Sequence, residues 1–296
     1  MKLWIRRSLI TVAALVGLVA AAVFAGTQLA ERKMNRKVEV AVQGVAVPAD
    51  PAAIERGRYL FASRGCSGCH GANGAGHTFI DDGQGMKAHS PNITRGAGST
   101  TLAYQPADWD RTVRHGVKPD GRPVFIMPSV DYNRLTNADL GALVAYVQSL
   151  PPAAGQGAQF QLPLPLRVMY GFGAIPDAAS LIDHTLPPQQ PVAEGLTVEH
   201  GRYVANLCIG CHGAKLEGGK VPGGPPDWPA AARLAPGAGS VIATRYADAE
   251  AFVKMLKAGK RADGSAIAVM PFETLSALSD IDARALHLFL KSMPGG

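Results

Sequence analysis

The chain has 296 residues, enough for two domains of about 100–150 residues each, and a hydrophobic content of 47% excludes a disordered polypeptide. Aromatic residues are only 6%, against 34 Gly and 22 Pro, so something besides bulky side chains is expected to fill the interior. The formal charge of +6 is local: residues 1–40 carry seven Lys/Arg and two Asp/Glu, the remainder 22 and 21, which suits lipid headgroups and gives no ground for nucleic-acid binding.

In chain order, the first feature is an uncharged run of 23 residues from Ser8 to Ala30. As a helix it would be about 34 Å long, enough to cross a bilayer core of about 30 Å. Lys2, Arg6 and Arg7 precede it, and "VFA" at 23–25 is an acceptable signal-peptidase site. The run continues past that site, so residues 1–40 are read as a retained transmembrane anchor rather than a cleaved signal. Arg32, Lys33, Arg36 and Lys37 follow it, so basic residues flank both ends and do not fix the orientation. The stretch "RKMNRK" at 32–37 reads as a solvated, membrane-proximal stop.

Beyond the anchor one plan occurs twice. "ERGRYLFASRGCSGCHG" at 55–71 matches "EHGRYVANLCIGCHG" at 199–213, "PDGRPVFIMP" at 119–128 matches "ADGSAIAVMP" at 262–271, and "RLTNADLGALVAYVQSLP" at 134–151 matches "ALSDIDARALHLFLKSMP" at 277–294. His70 and Met127 are 57 residues apart, His212 and Met270 are 58 apart, and each methionine precedes the matching Pro151 or Pro294 by 24. Each repeat is expected to open and close on a helix. Leu140, Leu143, Val144 and Val147 keep the i, i+3, i+4, i+7 spacing. Thr136 with Asp139, and Ser279 with Asp282, resemble N-terminal capping boxes with Asp in place of Glu. Gly57 and Gly201 in the opening helices would permit a close crossing, with Tyr146 and Phe289 at the contact. Residues between the cysteine motif and the methionine are mostly Gly, Pro, Asn and Asp, hence loops and short helices. The domains expected are 50–151 and 195–296, joined by a Pro-rich linker at 152–194 whose apolar middle, "VMYGFGA", packs between the domains or meets a partner.

All four cysteines lie in "CSGCH" (66–70) and "CIGCH" (208–212). A thioredoxin-like motif wants a βαβ setting, and a zinc site wants four ligands. Covalent haem attachment explains the adjacent histidine: Cys66 and Cys69, or Cys208 and Cys211, add to two vinyl groups, and His70 or His212 sits under the iron. Two covalently attached haem c groups are therefore expected. Such attachment takes place outside the bacterial cytoplasm, so both repeats are placed in the periplasm, on a single-pass inner-membrane anchor.

The two repeats resemble class I c-type cytochrome domains. The stretch "SPNITRG" at 90–96, followed by "DWDRTVRHGVKPDGRPVFIMPS", resembles the cytochrome c subunits of bacterial periplasmic alcohol, aldehyde and sugar-acid dehydrogenases. Those subunits commonly carry three haem domains, and this chain has two motifs. The resemblance implies a mostly α fold, with Met127 and Met270, each before a proline, as the distal iron ligands opposite His70 and His212. Met1, Met34, Met86, Met169, Met255 and Met293 are read as structural, as are His115, His184, His200 and His287. His77 and His89 are weaker candidates for the first distal position. Pro91 and Asn92 are expected to line the first haem, with "VPGGPPDW" at 221–228 standing in that place in the second repeat, and Trp109 and Trp228 are expected to pack on the haems. Six-coordinate His/Met iron suits a carrier. The expected function is a dihaem cytochrome, with no catalytic residue, passing single electrons in a respiratory chain between a quinol-oxidising complex or dehydrogenase and an oxidase or soluble cytochrome. The alternative is a dedicated subunit of a membrane-bound dehydrogenase or oxidase complex. A dihaem peroxidase is disfavoured by the two matched Met-Pro loops. Partners are then membrane lipid and a redox protein.

Overall fold

The structure is a computed structural model that describes residues 3–225 and 227–294. Met1, Lys2 of the basic N-terminal cluster, Pro226 of the 221–228 loop and the last two residues of the 195–296 domain lie outside the described residues. Helix α1 (Leu3–Asn35) includes the whole uncharged run, runs unbroken through 23–25, and is exposed except around Gly26 and Ala30. Its length and composition fit a membrane anchor.

Residues 38–48 then run as an extended strap along the first helical body. Val38 N–H donates to Gly121 O at 2.9 Å, Gln43 N–H to Asp110 Oδ2 at 2.9 Å, and Val45 is buried. The body itself comprises α2 (Pro51–Ser63), α3 (Cys66–His70), α4 (Pro106–His115), α5 (Ser129–Tyr132) and α6 (Asn137–Ser149). Strands β1 (Thr78–Asp81), β2 (Lys87–His89) and β3 (Gln159–Gln161) make a small antiparallel sheet in the order β1-β2-β3 that ties residues past Pro151 back to the first body. No alternation in the sequence announced these short strands. In the linker come α7 (Leu164–Gly171) and α8 (Ala178–Leu181). The second body comprises α9 (Val198–Val204), a 3₁₀ turn (Ala205–Cys208), α10 (Ile209–His212), α11 (Val241–Thr244), α12 (Ala249–Ala258), α13 (Phe272–Ser276) and α14 (Asp280–Ser292).

Each body is built on one helix crossing, α2 over α6 and α9 over α14. Both crossings need glycine. A Cβ at Gly57 would lie 2.0 Å from Ala142 O and 2.6 Å from Tyr146 Cβ; at Gly201 it would lie 1.9 Å from Ala285 O and 2.7 Å from Phe289 Cβ. The aromatic partners are the two expected from the repeat. Two separate apolar cores surround these crossings, one centred on Leu60, Leu140 and Val144, the other on Val204, Leu286 and Leu290.

The bodies are locked together by a reciprocal exchange. Tyr59 on α2 donates to Asp282 Oδ2 of α14 at 2.6 Å and accepts from Ser279 N–H at 3.0 Å. Tyr203 on α9 donates to Asp139 Oδ2 of α6 at 2.6 Å and accepts from Thr136 N–H at 3.3 Å. Within its own body each carboxylate is also held: Asp139 by Arg56 at 2.9 Å, and Asp282 by His200 Nε2 at 2.7 Å. Thr136 and Ser279 cap their helices as expected, accepting from Asp139 N–H at 3.0 Å and Asp282 N–H at 3.1 Å. The aspartate side chains close no capping box; they turn outward to the other body. Buried Arg64 adds a charge 3.4 Å from Asp282 Oδ2. Burial pushes the Asp282 carboxyl up, but Arg64 and the hydrogen bonds from Tyr59 and His200 hold it below the usual carboxylate range. Arg56 and Tyr203 do the same for Asp139 against its burial.

Three expectations follow. Gly57→Ala and Gly201→Ala should each destabilise the protein by about 1–3 kcal/mol in guanidinium unfolding, although helix propensity alone favours Ala by about 1 kcal/mol. Asp282→Ala should cost about 3–5 kcal/mol, because Arg64 becomes a buried unpaired charge, while Glu55→Ala, which removes only the exposed pair with Arg58, should have no measurable effect. Asp139 and Asp282 both have depressed folded-state values. Their stabilisation is therefore present above the unfolded value of about 3.9 and lost as pH falls through the folded one. Asp282→Asn should flatten that acid limb of the stability curve.

Candidate haem sites

The first cysteine motif is the short helix α3, set between Gly65 and Gly71, both at positive φ (80° and 75°). The second begins in the 3₁₀ turn, continues through α10 and ends at Gly213, φ 79°. All four thiols are free. Burial pushes Cys66 and Cys208 up to about 12 and raises Cys69 and Cys211 as well. A thiol-exchange site needs the opposite shift, toward the thiolate, so the environment does not support a thioredoxin-like reading.

The two histidines are oriented alike. His70 Nδ1 lies 3.0 Å from Pro91 O and His212 Nδ1 lies 2.7 Å from Ala232 O. A carbonyl only accepts, so each Nδ1 carries the proton and donates it. Burial lowers both imidazoles below the ordinary histidine range, with the carbonyls opposing. Each ring is thus neutral at pH 7 with its Nε2 lone pair free, the tautomer a metal-binding histidine needs. The loops that follow are also alike: Gly76 N–H donates to His70 O at 2.8 Å and Gly218 N–H to His212 O at 2.9 Å.

The methionines stand in equivalent turns. Helices α4 and α12 end on left-handed Gly116 and Gly259. Each is followed by a tight hairpin, bridged at Val117–Pro123 in one and Lys260–Ala266 in the other. Val124 N–H donates to Gly116 O at 2.7 Å, and Ile267 N–H to Gly259 O at 3.2 Å. Ser129 N–H then reaches Met127 O at 2.8 Å, and Phe272 N–H reaches Met270 O at 2.9 Å. Cys66 and Met127 border the first apolar core, while Cys208 and Met270 border the second.

These residues fit a covalently held haem: two thiols, a pre-oriented imidazole and a thioether on one apolar core. Trp109 adds a buried Nε1–H with no acceptor, a donor that a propionate would satisfy. His89 is engaged by Thr78 at 3.1 Å and Gln156 at 3.1 Å, and Met86 lies in the β1–β2 turn. His115 and His184 bond each other at 3.0 Å, and His287 meets Tyr246 O at 2.8 Å. His200, fully buried, holds Asp282 from within the second body and so supports the interface. Asn92, fully buried, does not face outward as a lining residue: it ties Ala97 O and Ala153 O and so shapes the loop that presents Pro91.

One expectation for the second body needs correction. The counterpart of Pro91 is Ala232, not the 221–228 stretch; Trp228 is 42% exposed. The composition of 221–228 drew attention away from the spacing. Pro91 follows His70 by 21 residues and Ala232 follows His212 by 20. That spacing was the available signal.

Nothing in the sequence hinted that each cysteine motif abuts the other body's methionine loop. Asp131, four residues after Met127, accepts from Gly210 N–H at 2.7 Å, inside the second motif. Burial pushes the Asp131 carboxyl up to about 7, against the Gly210 amide. The matching residue after Met270 is Thr274, whose Oγ1 would stand 3.0 Å from a Cβ on Gly65, just before the first motif.

Comparison with known proteins accords with this geometry. Residues 54–151 match the sequence model of the cytochrome c family, and they form a cytochrome c domain. Over most of its length the chain is similar to the fructose dehydrogenase cytochrome subunit of Gluconobacter japonicus, 28% identical over 275 residues, covering 81% of this chain and 52% of that protein. It is likewise similar to the cytochrome c subunit of the quinone-linked alcohol dehydrogenase of Gluconobacter oxydans (strain 621H), 28% identical, covering 90% of this chain and 62% of that one. A shorter match of 112 residues, 31% identical, covers 38% of this chain and 32% of the cbb3-type cytochrome c oxidase subunit CcoP of Helicobacter pylori (strain 52). The chain thus spans about half the length of the first of these relatives.

Asp131→Asn should raise the reduction potential of a haem at Cys208–His212 more than that of a haem at Cys66–His70. A unit charge on the order of 10 Å away, at an effective dielectric of about 20, is worth about 1.7 kcal/mol, on the order of 70 mV for one electron. Spectroelectrochemical titration at pH 8 checks this, and equal shifts at both haems would refute selective coupling.

Proposed function

We propose that this chain is a dihaem c-type cytochrome, held in the bacterial inner membrane by α1 with both bodies in the periplasm, that serves as the electron-transferring subunit of a membrane-bound dehydrogenase complex. The observation that carries the dihaem reading is the duplicated site: His70 on Pro91 O and His212 on Ala232 O, each with a Met-Pro hairpin of the same hydrogen-bond pattern. The similarity to dehydrogenase cytochrome subunits over 81–90% of the chain favours a fixed subunit over a free carrier. The CcoP match supports the second reading, an oxidase subunit.

Haem c, when bound, supplies a one-electron iron couple. The chain supplies everything else. Cys66, Cys69, Cys208 and Cys211 would attach the two groups; His70 and His212, oriented by their Nδ1–H bonds, would offer Nε2 to the iron; Met127 and Met270 would offer a soft thioether sulfur, which favours the reduced state and raises the potential. The Tyr–Asp exchange holds the two sites at a fixed separation and orientation.

Two measurements test the reading. A pyridine haemochrome assay on purified full-length protein should give two haems c per chain, and Cys208→Ala with Cys211→Ala should give one. The reduced protein should not bind carbon monoxide, whereas Met127→Ala should open one haem to it. Carbon monoxide binding by the unsubstituted protein would instead favour a peroxidase-type enzyme. Extraction in mild detergent should bring a dehydrogenase subunit with the cytochrome; isolation alone or with an oxidase would displace the leading assignment.

A further inference from the structure

The linker helix α7 packs neither between the bodies nor in isolation; it is clamped to the end of α1. Gly171 and Gly26 meet so closely that a Cβ on Gly171 would lie 2.0 Å from Gly26 O, and one on Gly26 would lie 2.8 Å from Val168 Cγ1 and 2.9 Å from Phe172 Cε2. Gly26 lies inside the uncharged run, four residues before its end at Ala30, hence about 6 Å short of that end along the helix axis.

Polar bonds begin where the run stops. Glu31 pairs with Arg167 at 2.8 Å, and Lys33 Nζ donates to Tyr170 O at 3.3 Å and to Ile175 O at 3.0 Å. Arg36 forks onto Asp177 at 2.6 and 2.7 Å, so the basic stretch expected to be solvated is in part a set of struts. Flanking the contact with α1, exposed apolar side chains run along α7 and its C-cap: Leu164 (54% exposed), Pro165, Met169 (39%) and Phe172 (56%). At 100° per residue they fall within an arc of about 140° that also contains Val168, with Arg167 outside it.

We propose that α7 is a second membrane contact, a short interfacial helix that sinks its Leu164–Met169–Phe172 face into the periplasmic leaflet beside α1. The inference rests on α1 spanning the bilayer. Lipid is the occupant the geometry favours, because this face adjoins a segment of α1 that is itself below the first charged residue, and because the Arg167–Glu31 pair marks the level of the headgroups. One transmembrane helix alone would let the haem bodies swivel; a second contact, strutted by Lys33 and Arg36, fixes which way they face along the membrane.

The test uses the full-length holoprotein in nanodiscs of phosphatidylethanolamine and phosphatidylglycerol. Single spin labels are placed at Leu164→Cys, Phe172→Cys, Leu18→Cys in the anchor and Leu102→Cys on the exposed side of the first body. Collision with oxygen and with a water-soluble nickel chelate is then measured by electron paramagnetic resonance. Positions 164 and 172 should match 18, with collisions suppressed for nickel and enhanced for oxygen, while 102 stays nickel-accessible. Because Phe172 also touches Gly26, position 164 guards against a label that merely unseats α7. If 164 and 172 resemble 102 while 18 remains shielded, the anchor stands and the lipid contact is wrong, leaving that face for a protein partner. If 18 is itself nickel-accessible, the anchor reading fails and this inference fails with it.

Discussion

Everything about the paired sites depends on one reciprocal contact: a tyrosine from the opening helix of each body donates to an aspartate at the start of the other body's closing helix. The phenol also accepts the backbone N–H of the capping residue there, so it fixes both a side chain and a helix terminus. Because Tyr59 and Tyr203 occupy the same repeat position, as do Asp282 and Asp139, the contact has approximate two-fold symmetry within a single chain. That is the self-complementary logic of a symmetric dimer, in which one patch meets its own copy. Its geometric consequence is that each cysteine motif faces the other body's post-methionine turn, so the two sites are neighbours by construction and the linker need not align them.

The features legible in the sequence were those that chemistry fixes locally. CxxCH must be contiguous, a glycine crossing leaves Gly57 and Gly201 in register, and Met-Pro marks its loop. The unreadable features were those in which a residue type had two local explanations. Asp139 and Asp282 at the third helical position look like cap residues, and their backbones are indeed capped, but their carboxylates serve the interface. Arg56 and His200 differ in type at one repeat position yet hold those carboxylates from the same side, a likeness that residue matching cannot detect. Ala232 was invisible for another reason: it acts through its backbone carbonyl, which every residue possesses, so only its distance from His212 could have marked it.

The linker shows how composition can mislead about location. "VMYGFGA" is apolar, and an apolar segment between two domains is naturally placed between them. The deciding residues are the small ones. Gly171 pairs with Gly26 as closely as backbones permit, the kind of approach that helices in lipid favour, where small residues replace the hydrophobic drive available in water. Lys33 and Arg36, counted among charges flanking an anchor, then have specific acceptors on the linker. The same residues that would stop a membrane span also brace what emerges from it.

Symmetry explains how the sites are held; its failures explain how they can differ. At the residue four past each methionine the first body presents Asp131 to the second motif, while the second body presents only Thr274 to the neighbourhood of the first. Arg64, two residues before Cys66, has its counterpart removed by the two-residue deletion ahead of Cys208. Val269, next to Met270, sits at φ 77°, a strained conformation for a β-branched residue, and Ile126 beside Met127 does not share it. Two haems held by the same ligands have no intrinsic reason to differ in potential, and electrons move in a preferred direction only if they do. The Asp131 carboxylate against the second motif would favour oxidised iron in a haem held there, whereas Arg64, paired with Asp282, stands near Cys66 and Cys208 alike and separates the two sites little. On that one unshared charge, a haem at the second motif would have the lower potential of the two.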